Sequence, residues 1–163
     1  MENLRKAYIA GGCFWGMEEL FRHRKGIVDT EVGFQGGENE NPTWAYHPGH
    51  AESVEITYNA DETNFKEILD FFYCIHNPTT LDSQGNDKGS SYRSAIFIQN
   101  EEEQKIAEEV IDIVNTSGKW QQPIVTTLEP IAKFWPAAEG HQDYLQKNPN
   151  GYICHFQRFK TFL

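Results

Sequence analysis

The chain has 163 residues, with 14 Lys and Arg against 24 Asp and Glu for a formal net charge of -10, and 39 % of it is hydrophobic. That length suits one well-buried catalytic domain, residues 1–163, and so acidic a chain argues against binding nucleic acid by phosphate neutralisation. No apolar run approaches the roughly 20 residues of a membrane span, and the N-terminal stretch is too short for a signal peptide, so a cytoplasmic, monomeric protein is expected.

The apolar run Ala7 to Ala10 predicts a short strand, and Met17 to Phe21 a helix following Gly11-Gly12-Cys13-Phe14-Trp15-Gly16. Ile27 to Phe34 is rich in β-branched residues and reads as a strand ending in the turn Gln35-Gly36-Gly37, giving a βαβ-like start. Glu38 to Gly49 is polar, carries Pro42 and Pro48, and reads as a long functional loop. Ser53 to Tyr58 alternates at period two as a half-buried strand, with Glu52 at its start. Phe65, Ile68, Leu69, Phe72 and Ile75 share one helix face after an Asp61 or Thr63 cap, and Pro78 ends that helix, with Cys74 on it as a packing residue.

Gln84 to Gly89 is turn chemistry leading into a strand from Tyr92 to Ile98. Asn100 then caps a second long helix, with Glu101, Glu102 and Glu103 in its first turn, Ile106, Val110, Ile113 and Val114 as its stripe, and Gly118 closing it. Ile124 to Leu128 reads as the last strand. From Pro130 the chain reads as an irregular tail, about 130–163, with a helix candidate at His141 to Leu145. Four strands interleaved with three helices give an α+β or α/β arrangement of sheet and helices.

Three cysteines, Cys13, Cys74 and Cys154, are too few and too scattered for a disulfide framework. The six histidines show no metal-ligand spacing and read mostly as surface or hydrogen-bonding residues, so neither a metal nor another cofactor is expected. Cys13 is the candidate for chemistry. At a helix N-terminus the unpaired N–H groups and the helix dipole favour a thiolate, and a thiol pKa near 8.5 can fall to roughly 3.5 to 7.5. Phe14 and Trp15 would line a pocket for a small apolar group. Taken alone, Cys13 is also compatible with a small buried hydrophobe.

Gly-Cys-Phe-Trp-Gly resembles the active-site signature of the A-type peptide methionine sulfoxide reductases. Asn41-Pro42-Thr43, Gly49-His50-Ala51-Glu52, Gln84 to Ser94 and Lys147 to Tyr152 resemble further segments of that family in the same order, spanning roughly residues 8 to 155. The resemblance implies a two-layer ferredoxin-like sandwich of a mixed sheet and helices with an irregular C-terminal tail. It implies reduction of methionine S-sulfoxide, free or in proteins, as antioxidant repair, with no cofactor beyond an external dithiol such as thioredoxin.

Reducing a sulfoxide with a thiol needs a nucleophilic sulfur, an acid for the departing oxygen and a second thiol to discharge the sulfenic acid. Cys13 supplies the first. Glu52, which matches the family's catalytic glutamate, suits the second, because desolvation beside Phe14 and Trp15 would raise its pKa. The resemblance makes Cys154 the resolving cysteine and brings Asp87 and Tyr92 to the sulfoxide. Without it, Asp87 reads as a turn residue, Tyr92 as a strand residue with its ring in the core, and Cys154 as a packed thiol.

The chain departs from the family pattern at Phe34, where a tyrosine is usual in Gly-Tyr-x-Gly-Gly, so a ring is kept and a hydroxyl lost. Tyr46, in a loop shorter than the family's, is a candidate to restore that hydroxyl, and Gly140 stands where a tyrosine is common. Two other readings stay open: a cysteine hydrolase or acyl transferase using Cys13 with His50 as base, and a non-catalytic methionine-binding module.

Overall fold

The computed structural model describes residues 3–163. In chain order the elements are β1 (Leu4–Gly11), α1 (Phe14–Arg22), β2 (Ile27–Gln35), β3 (Ala51–Asn59), α2 (Phe65–Ile75), the two-residue strands β4 (Ser83–Gln84) and β5 (Asp87–Lys88), β6 (Ser94–Ile98), α3 (Glu101–Thr116), β7 (Thr127–Pro130), β8 (Trp135–Pro136) and the one-turn α4 (Tyr144–Lys147). The main sheet has six strands in the order β7-β6-β1-β3-β2-β8. Its centre, β6-β1-β3-β2, is antiparallel and is traced β1-α1-β2-β3-α2-β6, the ferredoxin-like order that the resemblance implied. The α3 crossover lays β7 parallel to β6, and β8 pairs antiparallel with β2.

Period-two alternation divides the sheet into two faces. On one, Ala7, Ile9, Val32, Val54, Ile56 and Ile96 meet Phe14, Met17 and Phe21 of α1 and Leu69 and Phe72 of α2 in the main core. Burying each of the large side chains contributes roughly 1.5–3 kcal/mol. On the other, Ala10, Ala51, Ala95 and Phe97 form a thinner layer. The tail crosses that layer, where Gln35 Nε2 donates to the Ala132 carbonyl at 2.9 Å and Phe134 packs on Tyr8.

Several expected boundaries move for local reasons. The α2 cap is Asn64, whose side chain accepts from the Glu67 amide, while Thr63 instead donates its hydroxyl to Glu67. Tyr92 lies in a 3-10 turn, Ser90–Tyr92, ahead of the strand. Ile124 and Val125 are not in the last strand, because the Val125 amide donates to the Pro78 carbonyl and only 127–130 runs beside β6. The helix expected at His141 to Leu145 is split into a 3-10 turn at Glu139–His141 and α4, because Asp143 takes a left-handed φ of 54°. Asp143 is held there by its amide donating to Glu18 Oε1 at 3.0 Å and its carboxylate facing Arg22 at 2.8 Å.

Among the described residues no helix is long and apolar enough to cross a membrane, and no three His, Cys, Asp or Glu side chains converge as a metal ion would require.

Candidate active site

Gly12, at a φ of 101° open to glycine at little cost, turns the end of β1 into α1, and Cys13 becomes the N-cap of that helix. The next amide, Phe14 N–H, is one of the donors a helix start leaves unpaired, and it donates to Glu52 Oε1 at 3.2 Å. Glu52 is placed by the sheet: it is the second residue of β3 and pairs across the ladder with Phe34 of β2. Only 2 % of Glu52 is exposed, and burial pushes its carboxyl up to about 8, with Asp87 adding to the rise and the Phe14 amide opposing it. Glu52 therefore holds a proton at neutral pH.

Cys13 departs from the expected direction. The Trp15 amide does favour its thiolate, but burial of the sulfur and the neighbouring Glu52, Cys154 and Asp87 push the thiol pKa up instead. The helix terminus is outweighed because the sulfur sits 8 % exposed among acids.

Around this pair lies an aromatic wall. The Phe14 and Phe34 rings are 5.6 Å apart, and both are fully buried. Trp15 stacks flat on Tyr144 at 3.8 Å, and its Nε1–H donates to His141 Nδ1 at 3.1 Å. His141 also packs on Phe14 and on half-exposed Trp44. His47 stacks on Phe34 at 4.6 Å, whereas Tyr46 is 66 % exposed and its ring packs on no aromatic partner.

Asp87, on β5, and Tyr92 lie together on the side facing the tail. The Tyr92 phenol is pushed up to about 12 by burial, then by Glu52, Asp87 and Cys13 nearby, so it stays a hydrogen-bond donor. Asp87 Oδ2 accepts from the Tyr152 hydroxyl at 3.1 Å and from the Cys154 thiol at 3.7 Å. Cys154 is raised chiefly by burial, while the Tyr152 hydroxyl and the Cys13 backbone N–H favour its thiolate. All three cysteines are free thiols, and Cys74 is fully buried in the core.

His50 is not available as a base for Cys13. Its Nδ1 accepts from the Gly37 amide at 3.1 Å and its Nε2 donates to the Asn39 carbonyl at 2.8 Å, so both nitrogens serve to close the 36–50 loop.

Comparison with known proteins agrees with this geometry. Residues 5–161 match the peptide methionine sulfoxide reductase family. The chain belongs to that family. It is 51 % identical over 158 residues to the peptide methionine sulfoxide reductase MsrA of Nocardia farcinica, covering 97 % of this chain and 93 % of that one. Among solved structures it is similar to Mxr1 of Saccharomyces cerevisiae in reduced form, with a TM-score of 0.84 at 37 % identity over 96 % of this chain and 93 % of that one. Mxr1 in complex with Trx2 gives a TM-score of 0.62 at 30 % identity over 96 % and 91 % of the two chains. The chain is therefore an oxidoreductase that reduces peptide methionine sulfoxide.

Three participants were not singled out from sequence. Glu18, 1 % exposed, joins the Thr30 hydroxyl, the Arg22 guanidinium and the Asp143 amide, and so fastens the tail to α1. His141 sits against Trp15. His155 lies buried directly after Cys154. Glu18 and Arg22 at i, i+4 look like an ordinary surface pair, and an isolated histidine carries no signal of burial.

Proposed function

We propose that this reductase takes the S epimer of methionine sulfoxide, free or within proteins, and acts as an antioxidant repair enzyme in the reducing cytoplasm. The observation that carries this reading is the buried Glu52 carboxyl hydrogen-bonded at the helix start that bears Cys13, where burial raises its pKa. The sulfide methyl would lie against Phe14 and Trp15, and the sulfoxide oxygen toward Glu52 and the Tyr92 hydroxyl. With Phe34 lacking a hydroxyl, Tyr92 carries more of the neutral hydrogen bonding to that oxygen.

Cys13 Sγ attacks the sulfoxide sulfur while Glu52 gives its proton to the oxygen and regains one from the Cys13 thiol. Methionine leaves, and the oxygen remains on Cys13 as a sulfenic acid. Cys154 then attacks the Cys13 sulfur, the S–O bond breaks, and the disulfide forms with release of water. An external dithiol of the thioredoxin class reduces that disulfide, a partner supported by the relative that crystallised with Trx2.

A coupled assay tests the cycle: with thioredoxin, its reductase and NADPH, one methionine should form per NADPH consumed from the S epimer only. Sustained methionine formation without any thiol reductant would refute it.

A further inference from the structure

His155 is 4 % exposed and lies over the turn that carries Cys13. Its Nε2–H donates to the Gly11 carbonyl at 2.6 Å, and since a carbonyl oxygen only accepts, Nδ1 is left with its lone pair. That Nδ1 faces Cys154 Sγ at 3.6 Å. The ring fits because two residues beside Cys13 lack side chains: a Cβ on Gly16 would stand 2.6 Å from Nδ1, and one on Gly12 would stand 3.2 Å from Nε2. The Gly-Gly-Cys-Phe-Trp-Gly segment is thus a seat for the imidazole as well as a turn. Downstream, the Arg158 amide donates to the Cys74 carbonyl at 2.7 Å, so the tail is fixed to the β1–α1 turn by this ring and to α2 three residues later.

We infer that His155 is the positioning residue of the disulfide-forming step: it anchors the tail on Gly11 and sets its Nδ1 against Cys154 Sγ, whose S–H goes to Asp87 Oδ2, so that Cys154 Sγ is held toward the Cys13 sulfur. The inference rests on the resolving role proposed for Cys154. In that step the Cys154–Cys13 S–S bond forms, the Cys13 S–O bond breaks, and the Cys154 thiol proton leaves with the hydroxyl as water. His155 contributes alignment, and burial, which pushes its pKa down to about 4, keeps the ring neutral. Asp87 faces the same sulfur at 3.7 Å and is itself held by the Tyr152 hydroxyl, which donates to Asp87 Oδ2 at 3.1 Å.

Rapid-quench single turnover of the full chain without reductant, reading methionine, intact mass and the dimedone adduct, separates the two chemical steps. His155→Ala should release one equivalent of methionine at a rate within about twofold of the parent, yet form the disulfide roughly tenfold more slowly or worse, with dimedone-trappable sulfenic acid accumulating. His155→Gln, which keeps a donor for Gly11, should recover most of the disulfide rate. Gly16→Ala should slow the same step by displacing the ring, and Gly16→Ala with His155→Ala should be no slower than either alone, because both act through one contact. If His155→Ala and Gly16→Ala both form the disulfide at the parental rate while Cys154→Ser traps the sulfenic acid, His155 has no positioning role. If Cys154→Ser itself still forms an intramolecular disulfide, the resolving assignment fails and this inference with it. Should His155→Ala lose the methionine burst through misfolding, His155→Gln and Gly16→Ala decide between the same outcomes.

Discussion

The two ends of the chain build one site by opposite means. The N-terminal half uses regular structure: a strand, a glycine turn and a helix start place Cys13, and a neighbouring strand register places Glu52. The tail from about residue 130, the last fifth of the chain, is nearly without regular structure and reaches the site through single side chains, with Trp15 on Tyr144, Glu18 on the Asp143 amide, Asp87 on Tyr152 and His155 on Gly11. The difference suits a division of labour: the nucleophile and the acid are set by regular structure, and the segment proposed to carry the resolving thiol is held by contacts that can be broken one at a time.

The comparison can be broken most completely in the rigid half. Cys13→Ser should abolish methionine formation, and any residual turnover measured by chromatography would remove the nucleophile from its role. Next comes Glu52→Gln, which should lower kcat/KM by roughly 10²- to 10⁴-fold. Because the Glu52 carboxyl is protonated below about 8, the parent should lose activity as pH rises through that value, and the glutamine variant should lack that limb. A basic limb that survives the substitution would belong to another group.

The tail should fail more gently. Cys154→Ser should keep one stoichiometric turnover but lose cycling with thioredoxin, read as a burst without a steady state. Glu18→Ala leaves the Asp143 amide and Arg22 without their buried partner, which should cost about 1–3 kcal/mol and lower Tm by roughly 3–10 °C in calorimetry. It should also raise KM several-fold as the Trp15 wall loosens. The smallest effect is expected of Phe34→Tyr: its new hydroxyl should raise kcat/KM by no more than about tenfold if it finds the sulfoxide oxygen, and a loss of stability without a gain in rate would mean that it finds no partner.

The same contrast explains what could be read from sequence. The α+β class, the ferredoxin-like strand order implied by the resemblance, and family membership were all legible, because strand alternation and the Gly-Cys-Phe-Trp-Gly segment are local signals. The environment of Cys13 was not. A helix N-terminus alone predicts a lowered thiol pKa; Glu52 was expected there as a desolvated acid, but only the fold shows that burial of Cys13 outweighs the helix terminus. Tyr92 was misread as a strand residue because its flanking residues suit a strand, whereas the 3-10 turn turns it toward Glu52 and Cys13. The tail's anchors were invisible, since Glu18, Tyr152 and His155 acquire their roles from residues 65 to 144 positions away along the chain.

The most direct measurement mixes the reduced protein with both epimers of N-acetyl-methionine sulfoxide amide and no reductant, followed by chiral chromatography and intact mass. Loss of the S epimer alone, about one methionine per chain and a protein lighter by two hydrogens are the results expected of a Cys13–Cys154 cycle. Unchanged sulfoxide and an unchanged mass would contradict it.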